Sequence, residues 1–162
     1  MTHNTSSLSG KVAFIQGGSR GIGAAIAKRL ARDGAAVALT YSQSAQHAET
    51  LVKEIQAAGG KALAIKADSA SESAIRGAIQ QTLSTFGQLD ILVNNAGVLA
   101  IAPIEEMSIE DIDRTLSINM RSVVIASQEA SKHLNDGGRI INIGSTNAER
   151  MPFAGGAVYA MS

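Results

Sequence analysis

Residues 16–23 read QGGSRGIG, with glycines spaced Gly17-x-x-x-Gly21-x-Gly23. Glycine lets a backbone turn sharply and approach another group closely. A helix that opens straight after such a turn offers unpaired N–H groups and the positive end of its dipole, which together hold a pyrophosphate. The competing reading of the same residues is a tight turn with no ligand. A dinucleotide site adds an acidic residue ~20 positions further on, at the end of the second strand, to hold a ribose 2′-hydroxyl. That place falls here on Tyr41 and Ser42, and no Asp or Glu occurs between Asp33 and Glu49. A carboxylate there would repel a 2′-phosphate, so its absence favours NADP(H). Arg20, inside the turn, is placed to pair with such a phosphate, and Ser42 to donate a hydrogen bond to it.

The turn has to lie between a strand and a helix, and the pattern supplies both. Short apolar runs at 11–16, 35–41, 61–68, 89–95 and 139–145 read as strands. Between them lie amphipathic stretches at 21–34, 44–60 and 71–87 and a long one from 108 to 134. Ile22, Ile26 and Leu30 share one face of the first helix. Ser108 is a candidate N-cap for the long one, with Gly137 and Gly138 just past its end. Strand and helix alternate, so the expectation is an α/β fold, a doubly wound parallel sheet of five strands in one domain, 1–162. Uninterrupted apolar strands such as RIINI suggest burial on both faces. Ligands of such sheets bind at the carboxyl ends of the strands, where the motifs fall.

Composition narrows the classes. Fourteen Lys and Arg balance fourteen Asp and Glu, with no basic run, so no nucleic-acid partner is expected. The absence of cysteine removes disulfides, a thiol nucleophile and Cys-ligated zinc. His3, His47 and His133 are scattered as surface histidines, so no metal site is expected. The N-terminal MTHNTSSLSG has no apolar core of a signal peptide, and ILVNNAGVLAIAPI is broken by Asn94 and Asn95, so no membrane partner and a cytoplasmic location are expected.

GGSRGIG after the first strand, NNAG (94–97) after the fourth, Ser145 at the end of the fifth and Tyr159 fourteen residues later resemble the short-chain dehydrogenase/reductases, in particular their 3-oxoacyl-carrier-protein-reductase-like members. The resemblance covers the chain from about residue 9. It implies a Rossmann fold and an NADPH-dependent oxidoreductase acting on a carbonyl. It further implies that Gly17, Ser19, Arg20 and Ile22, with Gly21 and Gly23, line the pyrophosphate and adenosine-phosphate side. Tyr41 and Ser42 lie at the 2′-position, Asp68 and Ser69 at the adenine edge, and Asn95, Ala96 and Gly97 beside the ribose. Asn119, Ser145 and Tyr159 correspond to three of four catalytic residues, with Asn119 holding a water. The fourth, a lysine four residues after the tyrosine, would be residue 163. With five strands against about six for two mononucleotide halves, the chain reads as the N-terminal part of a longer one, lacking its C-terminal strands and inactive alone. Gln16 stands where the family usually has threonine, a change expected to alter local hydrogen bonding, and Gly144 where many relatives have serine. The family also implies a homo-oligomer, a tetramer, built on the long helix and the one starting near Gly155.

The chemistry agrees with those residue types. Carbonyl reduction needs a hydride donor, which a nicotinamide supplies, and a proton donor at the oxygen. A tyrosine hydroxyl, ordinarily of pKa ~10, fills that role if a nearby positive charge stabilises the phenolate. Ser145 suits a hydrogen bond to the substrate oxygen. The alternative function is a nucleotide-binding regulatory protein on the same scaffold with little turnover. Met107, Met151 and Phe153 are candidates for an apolar substrate wall, though such residues more often serve packing.

Overall fold

The computed structural model describes residues 7–162, so His3 and the first six residues of the polar N-terminus lie outside the described residues. Strands β1 (Val12–Gln16), β2 (Ala36–Tyr41), β3 (Lys61–Lys66), β4 (Leu89–Asn94) and β5 (Leu134–Asn142) form one sheet in the order β3-β2-β1-β4-β5. Every pairing is parallel. The helices are α1 (Gly21–Arg32), α2 (Ala45–Ala57), α3 (Glu72–Phe86), α4 (Ile109–Leu116), α5 (Ser122–Ala130) and α6 (Ala157–Met161). This is the expected doubly wound α/β architecture. The chain runs outward from β1 to β3, then returns to the other side of β1 for β4 and β5, so the switch point lies between β1 and β4.

Strand side chains alternate between the two faces. Ala13, Ile15, Val37, Leu39, Ile91 and Val93 pack with α1 and α2 through Ala27, Ala31, Ala48, Leu51 and Ile55. Phe14, Ala38 and Leu92 pack on the other face with Ile75 and Ile79 of α3 and Ile125 and Ala126 of α5. Of the expected α1 stripe, Ile26 and Leu30 pack against the first of these clusters and Ile22 does not. Gly23, Ala27 and Ala31 are the buried residues of α1, while Ile22 is 63% exposed. Small side chains let α1 lie close on the sheet.

The stretch expected to be one long helix is two. After Ser108, whose Oγ accepts from the Asp111 N–H (3.1 Å), α4 runs to Leu116. A π turn, Ser117–Arg121, follows, and the Ser122 N–H reaches back five residues to the Ser117 carbonyl. The Ser122 hydroxyl donates to the Ile118 carbonyl at 2.6 Å. Helix α5 then stops at Ala130, four residues earlier than expected.

Strand β5 also departs from expectation. It starts at Leu134, opposite Leu89, and shifts register before Arg139 pairs with Ile91. Gly137, at φ +77°, lies within that irregularity instead of capping a helix. The strand ends at Asn142, so Ser145 lies beyond it. β5 is the outer strand and is open on its far side, and its Ile140 and Ile141 are 40% and 44% exposed where burial on both faces was expected.

Two buried carboxylates pin these elements. Asp90, at the start of β4, accepts from the Val12 N–H (2.9 Å), Lys11 Nζ (3.0 Å), Gln88 Nε2 (2.6 Å) and Asn135 Nδ2 (3.2 Å). It thereby ties the starts of β1, β4 and β5 together. Burial pushes its carboxyl up, but those donors outweigh burial and bring the pKa down to about 2. Glu129 of α5 receives Lys132 Nζ (2.7 Å), Arg76 Nη1 (2.7 Å) and Gln80 Nε2 (2.8 Å). The bond from Lys132 leads in lowering its pKa to about 2 against the opposing effect of burial. His133 is half-buried beside this carboxylate (3.4 Å) and not simply solvated, whereas His47 is exposed.

A depressed carboxyl pKa stabilises the fold above its unfolded value and loses that contribution as pH falls through the folded one. For Asp90 the window runs from 3.8 down to about 2. The shift corresponds to about 2 kcal/mol. Asp90→Asn is expected to lower the Tm at neutral pH, with the gap to the unmodified protein closing as pH falls through that window. Thermal unfolding followed by circular dichroism at a series of pH values checks this, and a gap that stays constant down to the acid limit would contradict it.

Candidate functional site: a glycine turn at the switch point

The turn after β1 is shaped by what surrounds it. Gly17 has φ +70°, and a Cβ there would stand 2.9 Å from the Ala96 Cα. A Cβ on Gly23 would collide with the Gly17 carbonyl oxygen and the Asn95 side chain. Both positions therefore need glycine for close approach as well as for turning. Gly21 adopts φ +55° as α1 begins.

Hydrogen bonds hold the turn from two sides. The Gly17 N–H donates to Thr40 Oγ1 (2.9 Å) and the Gly18 N–H to the Thr40 carbonyl (3.0 Å). From the loop just after β4, Asn95 Nδ2 donates to the Gly17 carbonyl (2.8 Å) and the Gln16 carbonyl (3.3 Å). Thr40 was missed in the sequence. Its only signal is a small hydroxyl, beside Tyr41, at the end of the otherwise apolar strand AVALTY.

The electrostatics suit an anion. The first turn of α1 contains no acidic residue, and its N-cap, Arg20, puts no side chain on the free N–H groups. Arg20 is exposed and, among the described residues, forms no salt bridge. Ser42 is exposed at the end of β2, beside the half-buried Tyr41. A hollow of about 360 Å³ beside Ser19 opens between α1 and α2. Asp68 lies past the end of β3, two strands from β1, and its Oδ1 accepts from the Ala70 N–H (3.0 Å), with Ser69 between them in the turn. Free helix N–H groups, a nearby guanidinium and a backbone that permits close approach fit a dinucleotide pyrophosphate. A larger cleft, about 790 Å³, lies at the opposite end of the strands around Lys11, Arg32 and Lys61, away from these groups.

Asn119 sits in the π turn and grips the loop after β4. Its Oδ1 accepts from the Val98 N–H (2.9 Å) and its Nδ2 donates to the Val98 carbonyl (3.0 Å). Nδ2 also donates to Ser162 Oγ (2.9 Å), and that hydroxyl donates to the Tyr159 carbonyl (2.9 Å). The loop beginning at Asn95, Ala96 and Gly97 is thereby joined to the helix that carries Tyr159. Ser145 opens a short 3₁₀ turn, where its Oγ accepts from the Asn147 N–H (3.2 Å). Helix α6 packs on that turn and on α4.

The Ala102 N–H donates to the Gly155 carbonyl (3.1 Å) and joins the loops after β4 and β5. Ile101 and Ile104 are each 60% exposed there, with Leu99 and Phe153 also exposed. Met107, a candidate for the same wall, is buried in packing, and Met151 is half-buried with its thioether against Gly156. No helix among the described residues is long and apolar enough to cross a membrane.

Comparison with known proteins agrees with this geometry. Residues 11–162 match the family model described as short chain dehydrogenase. A hydroxynaphthalene reductase of Aspergillus fumigatus is 43% identical over 155 residues, which cover 96% of this chain and 56% of that protein. A short-chain dehydrogenase/reductase structure from Serratia marcescens superimposes with a TM-score of 0.93 at 64% identity, over 95% of this chain and 63% of that one. A short chain dehydrogenase from Burkholderia cenocepacia, solved in complex with NADP, gives 0.93 at 52% identity with the same coverage. The chain thus spans 56–63% of the length of these relatives. With the glycine turn, the Asn95 clamp and the order of the strands all in place, the chain belongs to the short-chain dehydrogenase/reductase family.

Proposed function

We propose that residues 7–162 form one nucleotide-binding unit of a cytoplasmic, NADPH-dependent carbonyl reductase. The observation that carries the reading is the open first turn of α1, with Arg20 unpaired among the described residues and no carboxylate where β2 ends. The NADP-bound Burkholderia relative and the reductase from Aspergillus fumigatus support it. The nicotinamide, when bound, supplies the hydride. The described residues have the following parts. The turn N–H groups and Arg20 take the phosphates, Ser42 bonds the 2′-phosphate, Ser145 orients the carbonyl oxygen, and the Tyr159 hydroxyl gives up a proton to it. Asn119 acts through position, by fixing the loop after β4 against α6. The exposed Leu99, Ile101, Ile104 and Phe153 favour an apolar ketone, in keeping with the aromatic substrate named for the Aspergillus fumigatus reductase.

Titration with NADPH and NADH, followed by quenching or calorimetry, is expected to show tighter binding of NADPH. Ser42→Asp should move the preference towards NADH, because the new charge repels a 2′-phosphate and accepts from a 2′-hydroxyl. Equal or tighter NADH binding by the unmodified protein would refute the cofactor assignment.

For Tyr159→Phe, cofactor affinity should change little, while turnover of an apolar ketone by the whole protein should fall by ~10²-fold or more, the scale of lost general acid catalysis. Activity close to that of the unmodified protein would move the proton donor elsewhere.

Assembly belongs to the same proposal. Met120 and Val124 leave an apolar surface across the π turn and α5, with Val124 66% exposed. We infer that this face pairs with a second copy in a homo-oligomer, a tetramer. Light scattering of the whole protein at micromolar concentration should give a multiple of the monomer mass, and replacing Val124 with Lys should reduce it. A monomer before substitution would contradict the inference.

A further inference from the structure

Among the described residues, three buried side-chain polar atoms have no hydrogen-bond partner: Gln16 Nε2, Gln16 Oε1 and Asn94 Oδ1. They belong to neighbours. Gln16 of β1 is in register with Asn94 of β4, which is in register with Asn142 of β5. In-register residues of parallel strands project to the same face. This one is the α3/α5 face, where Phe14 and Leu92, two residues earlier on the same strands, pack with Ile125 and Ala126. Gln16 and Asn94 are each 2% exposed, so bulk solvent does not serve them.

Asn94 is already anchored through its nitrogen. Nδ2 donates to Asn142 Oδ1 (2.8 Å) and to Ser127 Oγ of α5 (3.2 Å), which uses both hydrogens. Its oxygen still needs a donor. Gln16 needs both a donor and an acceptor. A buried polar atom left alone costs its full desolvation penalty, and native interiors rarely tolerate one. Three adjacent ones define what completes them. A cation would face the Gln16 amide hydrogens, an anion would face two carbonyl oxygens, and an apolar group would satisfy none. The group has to be small, neutral and both donor and acceptor, and it has to make three bonds. Buried water makes about three.

We propose that Gln16 and Asn94 bind one buried water between β1 and β4. The water accepts from Gln16 Nε2, donates one hydrogen back to Gln16 Oε1, and donates the other to Asn94 Oδ1. One molecule thus gives each of the three atoms a partner. Asn95 holds the Gln16 carbonyl (3.3 Å) on the turn side. The water clasps the Gln16 side chain from the interior, so the last residue before the glycine turn is fixed to β4 twice. This site is independent of which dinucleotide the turn receives.

A crystal structure of the unmodified protein, at a resolution that shows ordered water, tests the site directly. One density peak within hydrogen-bond distance of all three atoms is expected. No peak, or a Gln16 rotated to bond Asn94 without an intermediary, would overturn it. Gln16→Leu gives a second measurement, since leucine keeps similar bulk and has no polar atom. It removes the water and strands the Asn94 oxygen, so the Tm should fall by ~2–4 °C or more. A Tm that stays the same or rises would mean that Gln16 lies dry in the native protein, and the proposal fails. Should the variant not fold, the density in the unmodified protein decides.

Discussion

The approach of Gly17 to Ala96 is the contact on which the rest of the structure depends. Two adjacent strands deliver their next residues to the same place, and a Cβ on Gly17 would come within 2.9 Å of the Ala96 Cα. Without one, the turn and the loop lie against each other. Asn95 then reaches the Gly17 carbonyl, while the Gly17 N–H is drawn the other way to Thr40. Once the turn is fixed in this way, α1 starts at the switch point with its first N–H groups facing outward. Gly23 continues the constraint into the helix, since any side chain there would strike both the Gly17 carbonyl and Asn95.

The two ends of the sheet are stabilised by different chemistry. At the amino ends of β1, β4 and β5, Asp90 gathers two strand neighbours and a lysine around a full charge. At the carboxyl ends, the buried polar side chains are Gln16, Thr40 and Asn94, all neutral. A buried carboxylate at that end would oppose any phosphate brought to the α1 N-terminus, with little screening in a low-dielectric interior. Neutral amides and hydroxyls hold the strands in register without that penalty. Asp68, a carboxylate on the same edge, lies beyond β3, outside the strand pair that makes the crevice, and is exposed.

The order of elements and the glycine turn could be read from the sequence because each rests on local pattern: a period of two, a period of 3.6, and glycines between them. What could not be read depends on tertiary partners. The π turn leaves no mark in SINMR, which contains neither Gly nor Pro. It is legible only once the Ser122 hydroxyl is seen on the Ile118 carbonyl. The Gly137–Gly138 pair looks like a helix stop, yet Gly137 serves a strand irregularity that exists because Asp90 draws in Asn135. Thr40 escaped notice because a hydroxyl in a strand is uninformative until its acceptor role towards Gly17 is visible. Ile22, Ile26 and Leu30 share a face by periodicity, but periodicity does not show how deeply each is buried: Ile26 and Leu30 pack against the core, whereas Ile22, at the start of the helix, is exposed.

Asn119 shows how a residue type and its neighbours divide the work. A carboxamide has two donor hydrogens, and here both are used, one on Val98 and one on Ser162, while its oxygen takes the Val98 N–H. The side chain is a strut between the loop after β4 and the helix that carries Tyr159. Alanine would lose all three bonds, and aspartate would retain one acceptor but lose both donors and set a negative charge against the Val98 carbonyl. Glutamine would keep the chemistry but displace it by one methylene in a backbone clamp that is satisfied at 2.9–3.0 Å. A neutral side chain with a paired donor and acceptor and a short reach leaves asparagine. The π turn supplies the placement for it, although asparagine is a poor helix former.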